Sequence, residues 1–141
     1  MFDWATFEAF GIFLTALMVG GMVFFAFVLT PNAFTRMSKD AGPEVIRTTF
    51  PYYYRVMAAL SVGASLMVTG TTDAIVLAAN GMTFALILMV LRPRIVRARQ
   101  ARDDGDTAAA STFQRLHRAS VFLNMSQLAA VIVVFFRITS Q

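Results

Sequence analysis

The chain has 141 residues, of which 57% are hydrophobic and only 14% are charged, and its mean hydropathy is positive. A soluble domain of this size needs more polar surface, so a soluble protein is excluded. The absence of cysteine excludes disulfides and thiolate metal sites. The net charge of +4 comes from basic residues beside apolar stretches, and we predict no nucleic-acid binding.

The first predicted element is a membrane helix over about residues 5–30, where a long charge-poor run meets the length of a span. The residues around its start include Asp3 and Glu8 but no Lys or Arg, unlike the basic start of a signal peptide. We therefore predict a retained span. Pro31 disfavours helical geometry at Thr30 and predicts an end or a kink of the helix at that point.

A polar loop is predicted to follow over residues 32–50. The Gly-Pro-Glu sequence at 42–44 indicates a break and a new helix start, so we predict a short amphipathic helix along the membrane surface. Tyr53 and Tyr54 come directly after this loop. Tyrosines at this depth are ordinary interfacial anchors, and the alternative is a hydrogen bond from a tyrosine to polar side chains of the last helix.

Helix 2 is predicted over residues 52–69 and helix 3 over residues 73–91. Between them, Gly70 is expected to adopt a left-handed helix cap and Asp73 to cap the next helix. So short a connection makes the two helices antiparallel neighbours. Asn80 lies inside helix 3 and needs a partner on another helix.

The second polar stretch, residues 92–118, is predicted as a long loop that is basic at first and then acidic around Gly105. Ser111 or Thr112 is expected to cap the last helix, predicted over residues 112–137. The basic run favours contact with anionic lipid headgroups. The residues assigned to that contact are Arg92, Arg97, Arg99 and Arg102.

The predicted fold is all-α: one domain over residues 1–141, an integral membrane four-helix bundle with up-down topology. Basic residues concentrate in the two polar stretches, whereas none precedes helix 1 and none separates helices 2 and 3. The positive-inside rule then predicts cytoplasmic loops, with both termini on the outer, periplasmic side of a bacterial-type inner membrane.

The last helix carries a polar stripe. His117, Ser120, Asn124 and Gln127 recur at steps of three and four, so they are predicted to share one helical face. Polar side chains at membrane depth must face protein, water or a ligand. This stripe is therefore the first candidate site.

The stripe offers little catalytic chemistry, because the sequence has no second histidine, no phosphate-binding loop and no catalytic triad. His117 could be an axial ligand of haem b, and the second axial position of the iron would then be taken by a methionine, left open, or filled by a second copy of the chain. A soft metal such as copper is a further alternative. The plain interpretation is that His117 hydrogen bonds to a tyrosine or to the end of helix 3 and fixes how helix 4 docks.

Three segments resemble the transmembrane-protein-205-like family, also catalogued as domain of unknown function 4149: FPYY at 50–53, LRPR at 91–94 and FxRLHxxSxxxN at 113–124. The resemblance implies a compact four-span membrane protein without an established activity. It also implies a distant similarity to copper-resistance D and haem-biosynthesis J membrane proteins. The latter group uses a histidine in its first helix, where this chain has none. Carried onto this chain, the family pattern falls on Pro51, Tyr53, Pro93, Arg94, His117, Ser120 and Asn124.

We therefore predict a polar cluster near the cytoplasmic face, joined between helices and extended by the stripe. Its members are Tyr53, Tyr54, Arg94, His117, Ser120, Asn124 and Gln127. The predicted function is a non-catalytic structural or accessory component of a membrane assembly, as part of a larger complex or a homo-oligomer. The alternatives are a haem- or metal-binding redox protein with His117 as ligand, and an oligomeric transporter of a small solute or metal.

Overall fold

A computed structural model describes residues 3–140, and this part of the chain is helical with no strand. It contains four continuous helical segments, which we label in chain order. They are α1 (Trp4–Thr35), α2 (Ala41–Ser65), α3 (Thr71–Asp103) and α4 (Thr107–Thr139). The α-helical hydrogen-bonding pattern widens to a π-helical one at Phe25–Leu29 in α1 and at Ile87–Leu91 in α3.

Three of the segments in the described residues, α1, α3 and α4, are long and apolar enough to cross a membrane. They contain 32, 33 and 33 residues, or about 50 Å each at the rise of an α-helix. A hydrocarbon core is about 30 Å thick, so each helix extends well beyond it. The remaining segment, α2, carries Glu44, Arg47 and Arg55 and is not among the three.

The distribution of side chains is that of a protein embedded in lipid. Large apolar residues on the outside are strongly exposed, as shown by Phe122 at 73% and Ile75 at 62%. Several polar side chains are buried instead; they are Thr15, Ser61, Asp73, Asn80, Ser120 and Gln127. In water this arrangement would expose an apolar surface far larger than soluble proteins carry. In a bilayer the apolar exterior meets lipid and the polar groups meet each other.

Each segment has two close neighbours along its backbone: α2 and α4 each lie against α1 and α3. Long side chains also join α2 to α4 across the interior. Successive segments are antiparallel. One end of the molecule therefore contains the end of α1, the start of α2, the end of α3 and the start of α4. We call it the basic end because it holds every Lys and Arg except Arg137. Asp3, Glu8, Asp73 and Arg137 lie at the opposite end.

Both π-helical turns stand two residues before a proline, Pro31 in α1 and Pro93 in α3. In each, the residue before the proline donates its N–H five residues back: Thr30 to the Phe25 carbonyl and Arg92 to the Ile87 carbonyl. A proline ring collides with the carbonyl four residues earlier in a regular helix. The wider turn relieves that collision, so α1 continues to Thr35. Of the two alternatives predicted at Pro31, a helix end is wrong, because the π-helical turn accommodates the proline and the helix continues to Thr35. A kink at this point stays a prediction.

The basic end is more helical than predicted. Residues 92–118 are not a loop but the extended ends of α3 and α4, joined at Gly105, whose φ of 98° suits glycine. The N-cap of α4 is Asp106, whose carboxylate accepts from the N–H groups of Ala108 at 2.9 Å and Ala109 at 3.3 Å. The caps predicted at Ser111 and Thr112 are wrong, since the alanine-rich stretch before them already forms helix.

The start of α2 also differs from the prediction. The expected surface helix and helix 2 form one continuous α-helix, Ala41–Ser65, with Pro51 inside it. Its first turn crosses the end of α1 so closely that a Cβ at Gly42 would overlap the carbonyl oxygen of Ala33. A residue without a side chain is therefore required at this crossing.

The connection between α2 and α3 is short, as predicted, but its cap chemistry is not. Gly70 has φ −74° and ψ 113°, an extended rather than a left-handed conformation, and it is itself the N-cap of α3. Asp73 lies in the first turn, where its buried carboxylate accepts from Arg137. The predicted Asp73 cap is wrong because the helix begins two residues earlier, at Thr71, which places Asp73 inside the first turn.

Candidate functional site

The most complete polar contact between segments joins α2 to α4 near the basic end. The Tyr53 hydroxyl donates to Asn124 Oδ1 at 3.2 Å, and Asn124 Nδ2 donates to the Tyr54 hydroxyl at 3.4 Å. The Ser120 side chain also interacts with the Tyr54 hydroxyl. We call Tyr53, Tyr54, Ser120 and Asn124 the tyrosine–asparagine cluster. One asparagine amide here uses both its oxygen and its nitrogen to hold two tyrosines of another helix.

Aromatic rings from three segments hold the two tyrosines in place. The Phe25 ring stacks on Tyr53 with 4.2 Å between ring centroids, and Phe84 meets both tyrosines at 6.0 and 6.1 Å. Phe50 packs edge-on against Phe25 at 4.9 Å. Phe25 is the first residue of the π-helical turn of α1. That turn therefore helps to set the stacking on Tyr53.

A second polar contact lies deeper in the interior and joins α2, α3 and α4. Asn80 Nδ2 donates to the Ser61 hydroxyl at 3.4 Å, and Gln127 Nε2 donates to the Asn80 backbone carbonyl at 3.2 Å. The Ser61 hydroxyl itself donates to the sulfur of Met18 on α1 at 3.6 Å. We call Asn80 and Gln127 the amide pair. Within residues 3–140 no protein group donates to Asn80 Oδ1 or to Gln127 Oε1.

The opposite end is closed by charged and hydroxyl groups. Arg137 Nε lies 3.2 Å from Asp73 Oδ1, joining the end of α4 to the start of α3; the Asp73 side chain is 3% exposed and that of Arg137 is 54% exposed. Thr69 donates to the Glu8 carboxylate at 2.9 Å and joins the α2–α3 turn to α1. Nothing in the sequence pattern pointed to the Asp73–Arg137 pair, although Arg137 is the only basic residue predicted at this end.

The structure brings together four of the predicted polar cluster residues: Tyr53, Tyr54, Ser120 and Asn124. Gln127 shares their helical face but contacts Asn80 instead. Arg94 and His117 are exposed and lie outside the cluster.

His117 stacks on Phe113 of its own helix, with 5.9 Å between ring centroids and 10° between the ring planes. The His117 side chain points outward because the inward face of α4 at this level is formed by the half-buried Phe113 and Leu116. The Arg102 guanidinium lies 4.6 Å from the centre of the Phe113 ring, so these three side chains form a row on the basic end.

A haem or metal at His117 would therefore lie outside the helix interior. Met18 and Met22, which lie one turn apart on α1, are buried in the core. Among residues 3–140 there is no group of three or more His, Asp or Glu side chains placed to hold a metal ion. The haem-ligand hypothesis stays a prediction.

The arginines assigned to lipid headgroups all lie on the α3 extension. Arg97 is exposed, whereas Arg92, Arg99 and Arg102 are half-buried. Arg92 donates to the Arg47 carbonyl at 3.5 Å, a weak contact that ties α3 to α2. Headgroup contact stays a prediction for these residues.

The apolar exterior, the polar interior and the long apolar helices define a helical integral membrane protein. The protein-family model described as Domain of unknown function (DUF4149) matches residues 13–104, from α1 to the end of α3. The chain belongs to this family. No curated protein and no solved structure matches the chain. The similarity to the transmembrane-protein-205 and copper-resistance D groups stays a prediction, and α4 with its polar stripe lies outside the matched residues.

Proposed function

We propose that this chain is a non-catalytic, four-span inner-membrane protein that serves as a structural or accessory component of a membrane assembly. The observation that supports this role is the tyrosine–asparagine cluster. Its polar groups are directed at each other, between α2 and α4, rather than into a cavity where a substrate could react. Polar groups used in this way fix helix packing.

The fourth span of this proposal is α2. Its 25 residues correspond to about 37 Å of α-helix, which exceeds the hydrocarbon thickness. Tyr53, Tyr54, Met57, Ser61 and Ala64 are buried against the other segments. A helix held in this way between α1 and α3 shares their depth in the bilayer.

In the proposed topology the basic end is cytoplasmic and both termini are periplasmic. The asymmetry of Lys and Arg between the two ends supports this orientation. Because the chain has no cysteine, single cysteines test it cleanly. Asp104→Cys lies at the turn of the basic end and Ser140→Cys at the opposite end, and both positions are exposed.

A membrane-impermeant maleimide added to spheroplasts is expected to label Ser140→Cys at once and Asp104→Cys only after lysis. The reverse pattern would overturn the orientation. Labelling of both positions from the same side before lysis would also overturn it, because the two ends would then lie on one side of the membrane.

The partner-binding surface of this proposal is the helical hairpin of the basic end, residues 92–118. It extends beyond the membrane by about 18 Å, judged from the twelve residues of Arg92–Asp103. It presents exposed arginines to lipid headgroups and to a protein partner; they are Arg94, Arg97, Arg115 and Arg118. Surfaces of this kind attract anionic groups.

The role is tested by purifying the full chain in native-lipid particles and identifying what co-purifies. A triple variant, Arg97→Gln, Arg115→Gln and Arg118→Gln, is compared with a control in which exposed Ser111 and Gln114 are changed to Ala. We expect a partner in fixed ratio with the wild type and the control, and its loss from the triple variant. Repeated recovery of the chain alone would overturn the accessory role.

A small-solute transporter is the second candidate, because polar side chains from α2, α3 and α4 meet in the interior at the amide pair. Transport through this route would depend on Asn124 and Gln127, which lie along one face of α4. Flux in liposomes that is unchanged by Asn124→Ala and Gln127→Ala would eliminate this candidate. Flux that falls in both variants would favour it over the accessory role.

A further inference from the structure

The amide pair contains two strongly buried acceptors that no protein donor in the described residues reaches. Asn80 is 5% exposed and Gln127 is 6% exposed, yet Asn80 Oδ1 and Gln127 Oε1 accept no hydrogen bond from residues 3–140. A buried polar group without a hydrogen-bond partner is destabilising, so such atoms call for an explanation. Both oxygens lie on amides whose nitrogens already join helices.

Rotating either side-chain amide by about 180°, so that its oxygen and nitrogen exchange places, would break a hydrogen bond that the structure contains. If Gln127 turned, its oxygen would face the Asn80 backbone carbonyl that its nitrogen now contacts at 3.2 Å, and two acceptors would oppose each other. If Asn80 turned, its oxygen could accept from the Ser61 hydroxyl only if that hydroxyl gave up its contact with the sulfur of Met18. In the orientation that the structure shows, each amide nitrogen has an acceptor, and each amide oxygen still needs a donor.

We infer that the amide pair and Ser61 form an internal hydration site, in which a bound water donates to the free amide oxygens. The ligand must be a hydrogen-bond donor, and a buried water makes two to four hydrogen bonds to such groups. A cation is disfavoured, because the contact contains neutral groups only. The nearest acidic residue on α3 is Asp73, seven residues or about 10 Å along the helix, and it is paired with Arg137.

This inference does not rest on the proposed accessory role, since water held at this point ties α3 to α4 whatever the protein does. It also explains why a polar contact persists so deep in an apolar core: Leu77 and Phe84, on either side of Asn80 along α3, are fully buried. Water at this site supplies the hydrogen-bond donors that the two amide oxygens lack.

The site can be tested by X-ray radiolysis, which produces hydroxyl radicals at bound water and oxidises the side chains beside it. Met18 is the reporter, because its sulfur accepts from Ser61 at 3.6 Å although its side chain is 0% exposed. Met22, one turn further along α1 and 2% exposed, is the internal reference. We expect the dose-dependent oxidation of Met18 in the full chain to exceed that of Met22.

The double variant Asn80→Leu, Gln127→Leu removes the two free oxygens and replaces them with apolar groups. We expect the difference in oxidation between Met18 and Met22 to be lost in this variant. The matched control, Thr83→Val with Ser126→Ala, removes one hydroxyl from each of the same two helices and is expected to keep the wild-type difference. Thr83 is suitable because its hydroxyl donates to the Ala79 carbonyl of its own helix.

Three results would overturn the inference. Met18 as unreactive as Met22 in the wild type would show that no water lies beside it. Equal oxidation of Met18 in the wild type and the double variant would show that the amides do not hold the water. Loss of the difference in the control would assign the effect to general loosening of α3 and α4.

Discussion

The tyrosine–asparagine cluster and the amide pair are two buried polar contacts in one apolar interior, and they differ in how completely they are satisfied. In the cluster, Asn124 uses its oxygen and its nitrogen on two tyrosine hydroxyls. In the pair, both amides use their nitrogens and leave their oxygens free. The first contact is complete as protein alone, whereas the second needs a donor from elsewhere.

The difference follows from which groups meet. A phenolic hydroxyl both donates and accepts, so two tyrosines match the two ends of one amide. In the amide pair, the Gln127 amide nitrogen donates to the Asn80 backbone carbonyl, and the Asn80 amide nitrogen donates to the Ser61 hydroxyl. The Ser61 hydroxyl donates to the sulfur of Met18 and not to either amide oxygen. Three polar side chains thus leave two acceptors over. In a bilayer interior, the type of neighbour decides whether an amide joins helices or binds a small molecule.

The largest loss of stability is expected when one of the aromatic rings that pack against the cluster tyrosines is removed. Phe84→Ala deletes a fully buried ring that contacts both Tyr53 and Tyr54. Such a deletion costs about 3–5 kcal/mol through lost burial and the cavity left behind. We expect the free energy of unfolding in mixed micelles to fall by that amount. Met82→Ala, on the exposed side of α3, is the control. A similar loss in both variants would show that the packing of Phe84 against the two tyrosines makes no particular contribution to stability.

A smaller loss is expected when the amide of the cluster is removed. Asn124→Leu leaves the Tyr53 hydroxyl without its acceptor and the Tyr54 hydroxyl without a donor. Buried hydrogen bonds between membrane helices average below 1 kcal/mol and reach about 1.7, so a loss of about 1–2 kcal/mol is expected. The same unfolding measurement on Ser126→Ala, an exposed neighbour on α4, provides the reference. No loss in Asn124→Leu would contradict the view that the cluster joins α2 to α4.

A single hydroxyl measures the cluster more finely. Tyr53→Phe keeps the ring stacked on Phe25 and removes only the donor to Asn124 Oδ1. We expect a loss of about 1 kcal/mol, because a buried acceptor then becomes unpaired. Tyr52→Phe is the matched control: Tyr52 is 67% exposed and contacts Arg55 through its ring. Equal effects of the two substitutions would mean that Tyr53 acts through its ring alone.

The inward direction of Ser120, Asn124 and Gln127 could be predicted from sequence, because helical geometry alone places residues three and four apart on one face. His117 belongs to the same spacing but faces outward. At this level of α4, Phe113 and Leu116 make the contact with α3. Residue spacing alone does not predict that these apolar residues, and not His117, face the neighbouring helix.

Which residues meet across helices depends on how far each helix is shifted along the others. The pattern that placed Asn80 in α3 required a partner for it, but not the particular partners Ser61 and Gln127. The Asp73–Arg137 pair was missed for the same reason. The helical hairpin at the basic end was missed because its charged residues resemble a loop, although Asp106 and the alanines after it favour helix.

The smallest effect is expected at the amide pair, where it separates the two contacts most clearly. Replacing Asn80 and Gln127 together with Leu removes the free acceptors along with the donors. Exchanging a whole polar contact for apolar groups of similar size is nearly neutral or stabilising. We expect the free energy of unfolding to stay within about 0.5 kcal/mol of wild type or to rise, in contrast to the loss in Asn124→Leu. A loss as large as that of Asn124→Leu would contradict the view that protein groups satisfy the amide pair less completely than the cluster.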